Sequence, residues 1–240
     1  MIAPVRFSHL RAYGKSAMHG KHARERDSEQ TTAMQRGSAV HALVFATKKV
    51  VGYPGAQRRG KEYEAFAQQH ADAEILTMAE YDKALRMAGA VVDSTLAAPL
   101  LKGTTETTIR FEWMGLQCRV TPDVRGASWL TELKSSATAD PMRFPWVALR
   151  HHYHAQMRFQ QIACGMQPQD CYIVCVESEE PFPVSVFRID EKALVLGEKL
   201  LVSWAERLKN SEQSDLYPPY ATCIMPIDAP DDLNLEYGDA

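Results

Sequence analysis

The segment RVTPDVRGASWLTELKSS, from Arg119 to Ser136, decides how this chain is read. Just before it, Leu116, Cys118 and Val120 alternate with Gln117, Arg119 and Thr121, the period of a half-buried strand. Pro122 and Asp123 close that strand. Val124 to Ser128, with Gly126 inside it, reads as a turn, and Trp129 to Lys134 reads as the next strand. Upstream, Ile109, Phe111 and Trp113 alternate with Thr108, Arg110 and Glu112, and Met114-Gly115 turns that strand back. The expectation is a three-stranded antiparallel meander.

Side chains change face at every strand residue, so Glu132 and Lys134 share a face, and Asp123 is in phase with Gln117, Arg119 and Thr121. If the last two strands pair as a hairpin, Asp123 and Glu132 approach within the span of one divalent cation. Two converging carboxylates repel each other unless a cation joins them. Mg²⁺, which Mn²⁺ can replace, prefers such oxygen ligands and keeps several waters. Beside it, the Lys134 ammonium would orient a water and offset negative charge growing on a phosphate. The same spacing also arises when an Asp sits in a turn and a Glu/Lys pair forms a solvated face, so the rest of the chain has to decide.

The first 100 residues read mainly as helix. Thr31 to Thr47, Glu62 to Gln69 and Met78 to Ala97 carry helical patterns, the last with Thr77 and Glu80 placed for a capping box. VVGYPGAQRRGK, from Val50 to Lys61, reads as a basic loop. After the meander come a loop from Ala137 to Pro145, a helix from Val147 to Cys164, strands at Cys171–Glu177 and Val184–Ile189, and a helix from Glu191 to Lys209. The expected fold is α/β: a central mixed sheet of about five strands flanked by helices, the N-terminal helices closing one side. One domain is expected over residues 1–225, its helical part over about 1–100, followed by an acidic tail at 226–240.

At 45% hydrophobic and 24% charged residues, the chain has material for a real core. No apolar run reaches the length of a membrane helix and no signal-like apolar region opens the chain, so the expectation is a cytoplasmic protein with no membrane partner. Net charge is −3, yet Ile227 to Ala240 is acidic and lacks Lys and Arg, so the body alone is slightly positive. A local basic groove is allowed.

Beyond the central segment, several motifs in order resemble one family. MQRGSAVHALVFA, with Gly37 and His41, is similar to its G-x-x-x-H helix. RRGKEYEAFAQQHADAEILTMAEYDKALRMAGAV resembles the spacer that follows. In ETTIRFEWMGLQCRVTPD, Glu106 matches an acidic family position. YHAQMRFQQIACG resembles the helix after the catalytic strand, where the family pattern is Q-x-x-x-Y. The likeness runs from about Arg36 to Gly165 and is to the exonuclease VIII (RecE-type) and lambda-exonuclease-like branch of the PD-(D/E)xK superfamily, a resemblance that implies a restriction-endonuclease-like core for the α/β fold.

That resemblance implies Asp123, Glu132 and Lys134 as catalytic residues. It implies a metal shell of His41, Asp123, Glu132 and the Leu133 carbonyl, with Glu106 as a further acidic candidate. Gln156 and Tyr153 become candidates for binding DNA, while Gln160 stands where the family has tyrosine. Arg36 and Arg158 are candidates for a terminal 5′-phosphate. The implied activity is Mg²⁺-dependent digestion of linear duplex DNA from 5′ ends, exposing 3′ strands for a single-strand annealing protein in phage or prophage recombination. A homo-oligomer is implied too. An endonuclease or repair nuclease of the same superfamily, and a catalytically silent DNA-binding protein, remain alternatives.

Other signals are set aside. Gly55 to Lys61 spells G-x-x-x-x-G-K, but Glu62 follows where a phosphate loop needs Ser or Thr. Lys48, Lys49, Arg58, Arg59 and Lys61 could instead touch phosphates. His151, His152 and His154 do not share one helix face, which argues against zinc. The five cysteines lack the spacing of an iron–sulfur site and read as reduced thiols. The four tryptophans read as core or groove residues, with base stacking open for one or two.

Overall fold

A computed structural model describes residues 3–26, 31–55, 57–165 and 171–223; the acidic tail expected at 226–240 lies outside them. A five-stranded mixed sheet forms the centre, in the order β3 (Thr104–Thr105), β6 (Val124–Arg125), β7 (Leu130–Ser136), β8 (Cys171–Glu177), β9 (Val184–Arg188). Only β7 and β8 run parallel. The expected α/β core with about five strands is therefore present.

Helices cover both faces. On one, α3 (Thr32–Phe45) and α5 (Met78–Asp93) pack Ala39, Val40, Met87 and Val91 against Leu133, Val174 and Val176. On the other, α6 (Phe144–Arg150), α7 (Tyr153–Cys164) and the N-terminal end of α8 (Glu191–Ser214) pack Phe144, Met157 and Leu194 against Leu130, Ile173 and Cys175. The alternation of β7 is thus divided, with Leu133 toward α3 and Leu130 toward α7. Beyond α7, α1 (Phe7–Lys15) and α2 (Ala17–Glu25) rest on α8. The N-terminal helices therefore serve both sides rather than closing one.

Four expectations need correction. The meander does not exist as one sheet: β4 (Ile109–Trp113) and β5 (Leu116–Val120) pair with each other and with no other described strand, and β7 pairs instead with β6. The "turn" after Asp123 is itself the short strand β6. Inside the expected basic loop lies β1 (Lys49–Tyr53), which pairs in parallel with β2 (Ala73–Thr77) across α4 (Lys61–Gln69). Its partner is more than twenty residues away, so no local pattern announces it. The helix expected over Val147–Cys164 is two helices, because His152 has φ of 60°.

The Thr77 cap holds, its side chain accepting from the Glu80 amide. Gly197 marks the tightest crossing of α7 and α8. A Cβ there would lie 2.8 Å from the Ala155 Cα and the His154 carbonyl oxygen, both backbone atoms that cannot turn aside. Gly197→Ala should therefore cost about 1–3 kcal/mol as overpacking, read as a lower urea midpoint at unchanged slope.

Candidate active site

The shortness of β3 and β6 builds the site. Their registers pair Thr105 with Val124 and Val124 with Thr131, and the Glu106 amide donates to the Asp123 carbonyl at 3.3 Å. Glu106 directly follows β3 and Asp123 directly precedes β6, beside the stretch of β7 that carries Glu132 and Leu133. There β6 stops offering β7 a backbone partner. The Asp123 Oδ2 takes its place and accepts the Leu133 N–H at 2.7 Å. From α3, His41 reaches over the same gap with Nε2 2.8 Å from the Leu133 carbonyl oxygen. A Cβ on Gly37, one turn earlier, would come within 3.2 Å of Ser135 Oγ, so glycine lets α3 lie close on β7.

Glu132 points the other way, toward α7. Lys134 Nζ donates to its Oε1 at 2.7 Å, Gln156 Nε2 donates to the same oxygen, and Gln160 Nε2 donates to Oε2 at 2.9 Å. Gln160 fills a position read only as a departure from the family tyrosine. Its signal in the sequence was the four-residue spacing from Gln156, which puts both amides on one helix face.

The site carries more charge than its burial would favour. Burial first, and Glu132 second, push the Asp123 carboxyl well above the usual carboxylate range. Burial acts on Glu132 in the same direction, but Lys134 and the amide of Gln160 outweigh it and hold that carboxyl low. Burial opposes charge on Lys134, yet Glu132 and Asp123 keep it protonated. Burial also opposes charge on His41, but Asp123, with Nε2 3.6 Å from Oδ2, and Glu106 at 3.8 Å raise it to about 9.

Protonated His41 here balances two acids, the task a divalent cation performs when bound. His41, Glu106 and Asp123 offer ligand atoms all within 4.8 Å of one another, beside the Leu133 carbonyl. One nitrogen among hard oxygens is a donor set that fits Mg²⁺ or Mn²⁺. Glu132 stands outside that group in this arrangement, contrary to the expected direct pairing of Asp123 and Glu132. It is engaged by three donors, and to become a ligand it would have to release one of them.

Around these groups opens a groove of ≈ 1130 Å³, lined among others by Arg36, His41, Lys48, Glu106, Asp123, Lys134, Ser135, His151 and Tyr153. Arg36 lies in it, its Nη1 3.0 Å from Glu80 Oε2. Tyr153 lies there too, with Lys134 Nζ 4.9 Å from its ring centroid. Arg158 does not line this groove; its guanidinium pairs with Glu198 at 2.8 Å and with Gln161. Of the basic residues in and just before that loop, Lys48 lines the groove, whereas Arg58 is tied to the Ile75 carbonyl and Gln35.

A family profile described as a PDDEXK-like domain of unknown function (DUF3799) matches residues 6–225. The chain belongs to this PDDEXK-like family. Among solved structures, a protein from Eubacterium rectale provisionally assigned as an exonuclease is 11% identical, with a TM-score of 0.63 over 95% of this chain and 90% of that one. An alkaline exonuclease (LHK-Exo) from Laribacter hongkongensis is 13% identical, with a TM-score of 0.43 over 89% and 91%. The likeness to the Eubacterium protein bears on the fold alone. No curated relative matches the sequence significantly. No described helix of the PDDEXK-like chain is long and apolar enough to cross a membrane.

The three neighbouring histidines do not converge. His151 faces the groove, while His154 is buried with neither ring nitrogen hydrogen-bonded. Burial first, then His152, lowers His154 to about 4. The unfolded chain thus binds the extra proton between the ordinary value near 6.5 and about 4. The resulting stabilisation is complete above that window and is lost as pH falls through it. His154→Phe should flatten this part of the profile, measured as urea midpoints at pH 7, 5.5 and 4.5.

Proposed function

We propose that this protein is a Mg²⁺-dependent deoxyribonuclease that digests linear duplex DNA from 5′ ends. The observation that carries the reading is the cluster of His41, Glu106 and Asp123 beside the Leu133 carbonyl, with Lys134 held by Glu132 at the wall of the same open groove. Asp123, Glu106, His41 and the Leu133 carbonyl would hold the metal, and Glu132 would join on release of a donor. When bound, the metal supplies an acidified water and charge neutralisation at the phosphate.

The protein's own residues do the rest. Asp123 is fixed by the Leu133 amide, so its carboxylate needs no reorganisation. Gln156 and Gln160 hold Glu132, and Glu132 in turn holds the Lys134 ammonium at the groove wall. There Lys134 can donate to a phosphate oxygen as charge accumulates on it. Arg36 and Lys48, spaced along the groove, suit contacts to flanking phosphates. The 5′ polarity, a homo-oligomer enclosing the duplex, an annealing-protein partner and a role in recombination belong to the same proposal and are supported by the sequence resemblance.

The test compares a linear duplex, labelled at either its 5′ or its 3′ end, with a covalently closed circle, each with Mg²⁺ or Mn²⁺. Early release of the 5′ label and an intact circle are expected. Cutting of the circle would overturn the exonuclease reading in favour of an endonuclease.

A further inference from the structure

The chain between α6 and α7 holds a strained residue with a visible consequence. His152 adopts φ 60° and ψ 34°, a left-handed conformation that is uncommon for any residue with a Cβ, although histidine enters it more readily than most. Its ring is fixed in place, packed edge-on against Trp204 at 5.2 Å. In a continuous helix, residues 151 and 153 would point about 200° apart. The break at 152 brings them together instead: the rings of His151 and Tyr153 stack, with centroids 5.7 Å apart and planes 21° from parallel. Both line the groove, and Tyr153 lies against Lys134. His151 is exposed. The molecule therefore holds a strained turn whose effect is to place an open aromatic step next to the candidate catalytic lysine.

We propose that His151 and Tyr153 form a stacking platform for the nucleobase adjoining the phosphate that is cut. The inference rests on the nuclease reading above and narrows its substrate. Inside a duplex both faces of a base are covered by its stacked neighbours, so the platform takes a base at the DNA end, where one face is free. Every base has a π-face, so such a platform tolerates any sequence. The phosphate of that nucleotide then falls to Lys134, one ring away.

The test pairs a protein change with a substrate change. His151→Ala should raise KM for a DNA end about tenfold, with the loss falling mainly on KM rather than kcat. His151→Phe should restore most of it. An end carrying an abasic residue at the nucleotide beside the cut should cost the natural protein a similar factor and cost His151→Ala almost nothing further. Multiplying losses for the variant and the abasic end would overturn the proposal, as would a Phe variant no better than Ala, which would make His151 a phosphate contact.

A separate arm does not need cleavage. In EDTA, quenching of a 2-aminopurine base at the end of an oligonucleotide should be strong with the natural protein and weak with His151→Ala. Quenching without cutting would remove the nuclease reading and keep the platform. Equal quenching by both proteins would remove the platform, whatever the cutting shows.

Discussion

Asp123→Asn should lower DNA cleavage by about a hundredfold to a thousandfold while leaving the protein at least as stable as before. The size follows from what is lost: a charged ligand preset by the Leu133 amide, in a buried site where one such group commonly accounts for 10²–10³ in rate. Stability moves the other way because burial and Glu132 already disfavour the Asp123 charge. A neutral amide keeps the shape and removes that repulsion, although its NH₂ group must be oriented away from Leu133. Calorimetric titration with Mn²⁺ and a thermal melt of the same preparation read both halves. Unchanged Mn²⁺ binding in the variant would sink the metal site, and a collapsed melt would show that Asp123 mainly holds the fold.

Lys134→Met should fail on both counts. The stem keeps its packing but the ammonium is gone, and Glu132 is left buried with only Gln156 and Gln160 as donors. Breaking a buried ion pair from one side typically costs about 3–5 kcal/mol, and loss of the positive charge beside the phosphate should cost about 10²–10³ in kcat. Adding Glu132→Gln to this variant removes the stranded charge. The double variant should regain most of the lost stability and none of the activity. A double variant as unstable as Lys134→Met alone would mean that the stability loss came from packing rather than from the stranded carboxylate. Full activity in Lys134→Met would remove lysine from the chemistry.

The site was largely legible as a set of residues and much less as an arrangement. Asp123, Glu132 and Lys134 stood out because a strand's two-residue period puts the last two on one face by arithmetic. His41 could be found only through a resemblance of motifs, since a single histidine in an apolar helix gives no sign of what it faces. Gln160 carried a signal in its spacing from Gln156, but one that has no meaning until α7 is known to lie over Glu132. Arg158 shows the reverse: a plausible phosphate ligand by type, spent on Glu198 once α7 and α8 are packed.

Strands of two residues, β3 and β6, are too short to show a period, so the pairing of β7 was assigned to β5. The parallel pair of β1 and β2 was missed because its hydrogen bonds join segments separated by a helix. The division of α6 from α7 depends on a positive φ at His152, a conformation histidine enters more readily than most residues but that its neighbours in sequence do not signal, and its ring packs against Trp204.

Periodicity and residue chemistry by themselves determined that this is an α/β protein with a mixed sheet, and which acids and which lysine deserve attention. Both are local matters, set by how side chains alternate along a strand or helix and by what each group can donate or bind. Tertiary structure alone decided that Glu106 and Asp123 meet beside His41, and that Lys134 and two glutamines hold Glu132 away from them. Those relations join positions up to about a hundred residues apart, and they arise only when burial of the core fixes helices on both faces of a sheet whose edge strands stop short.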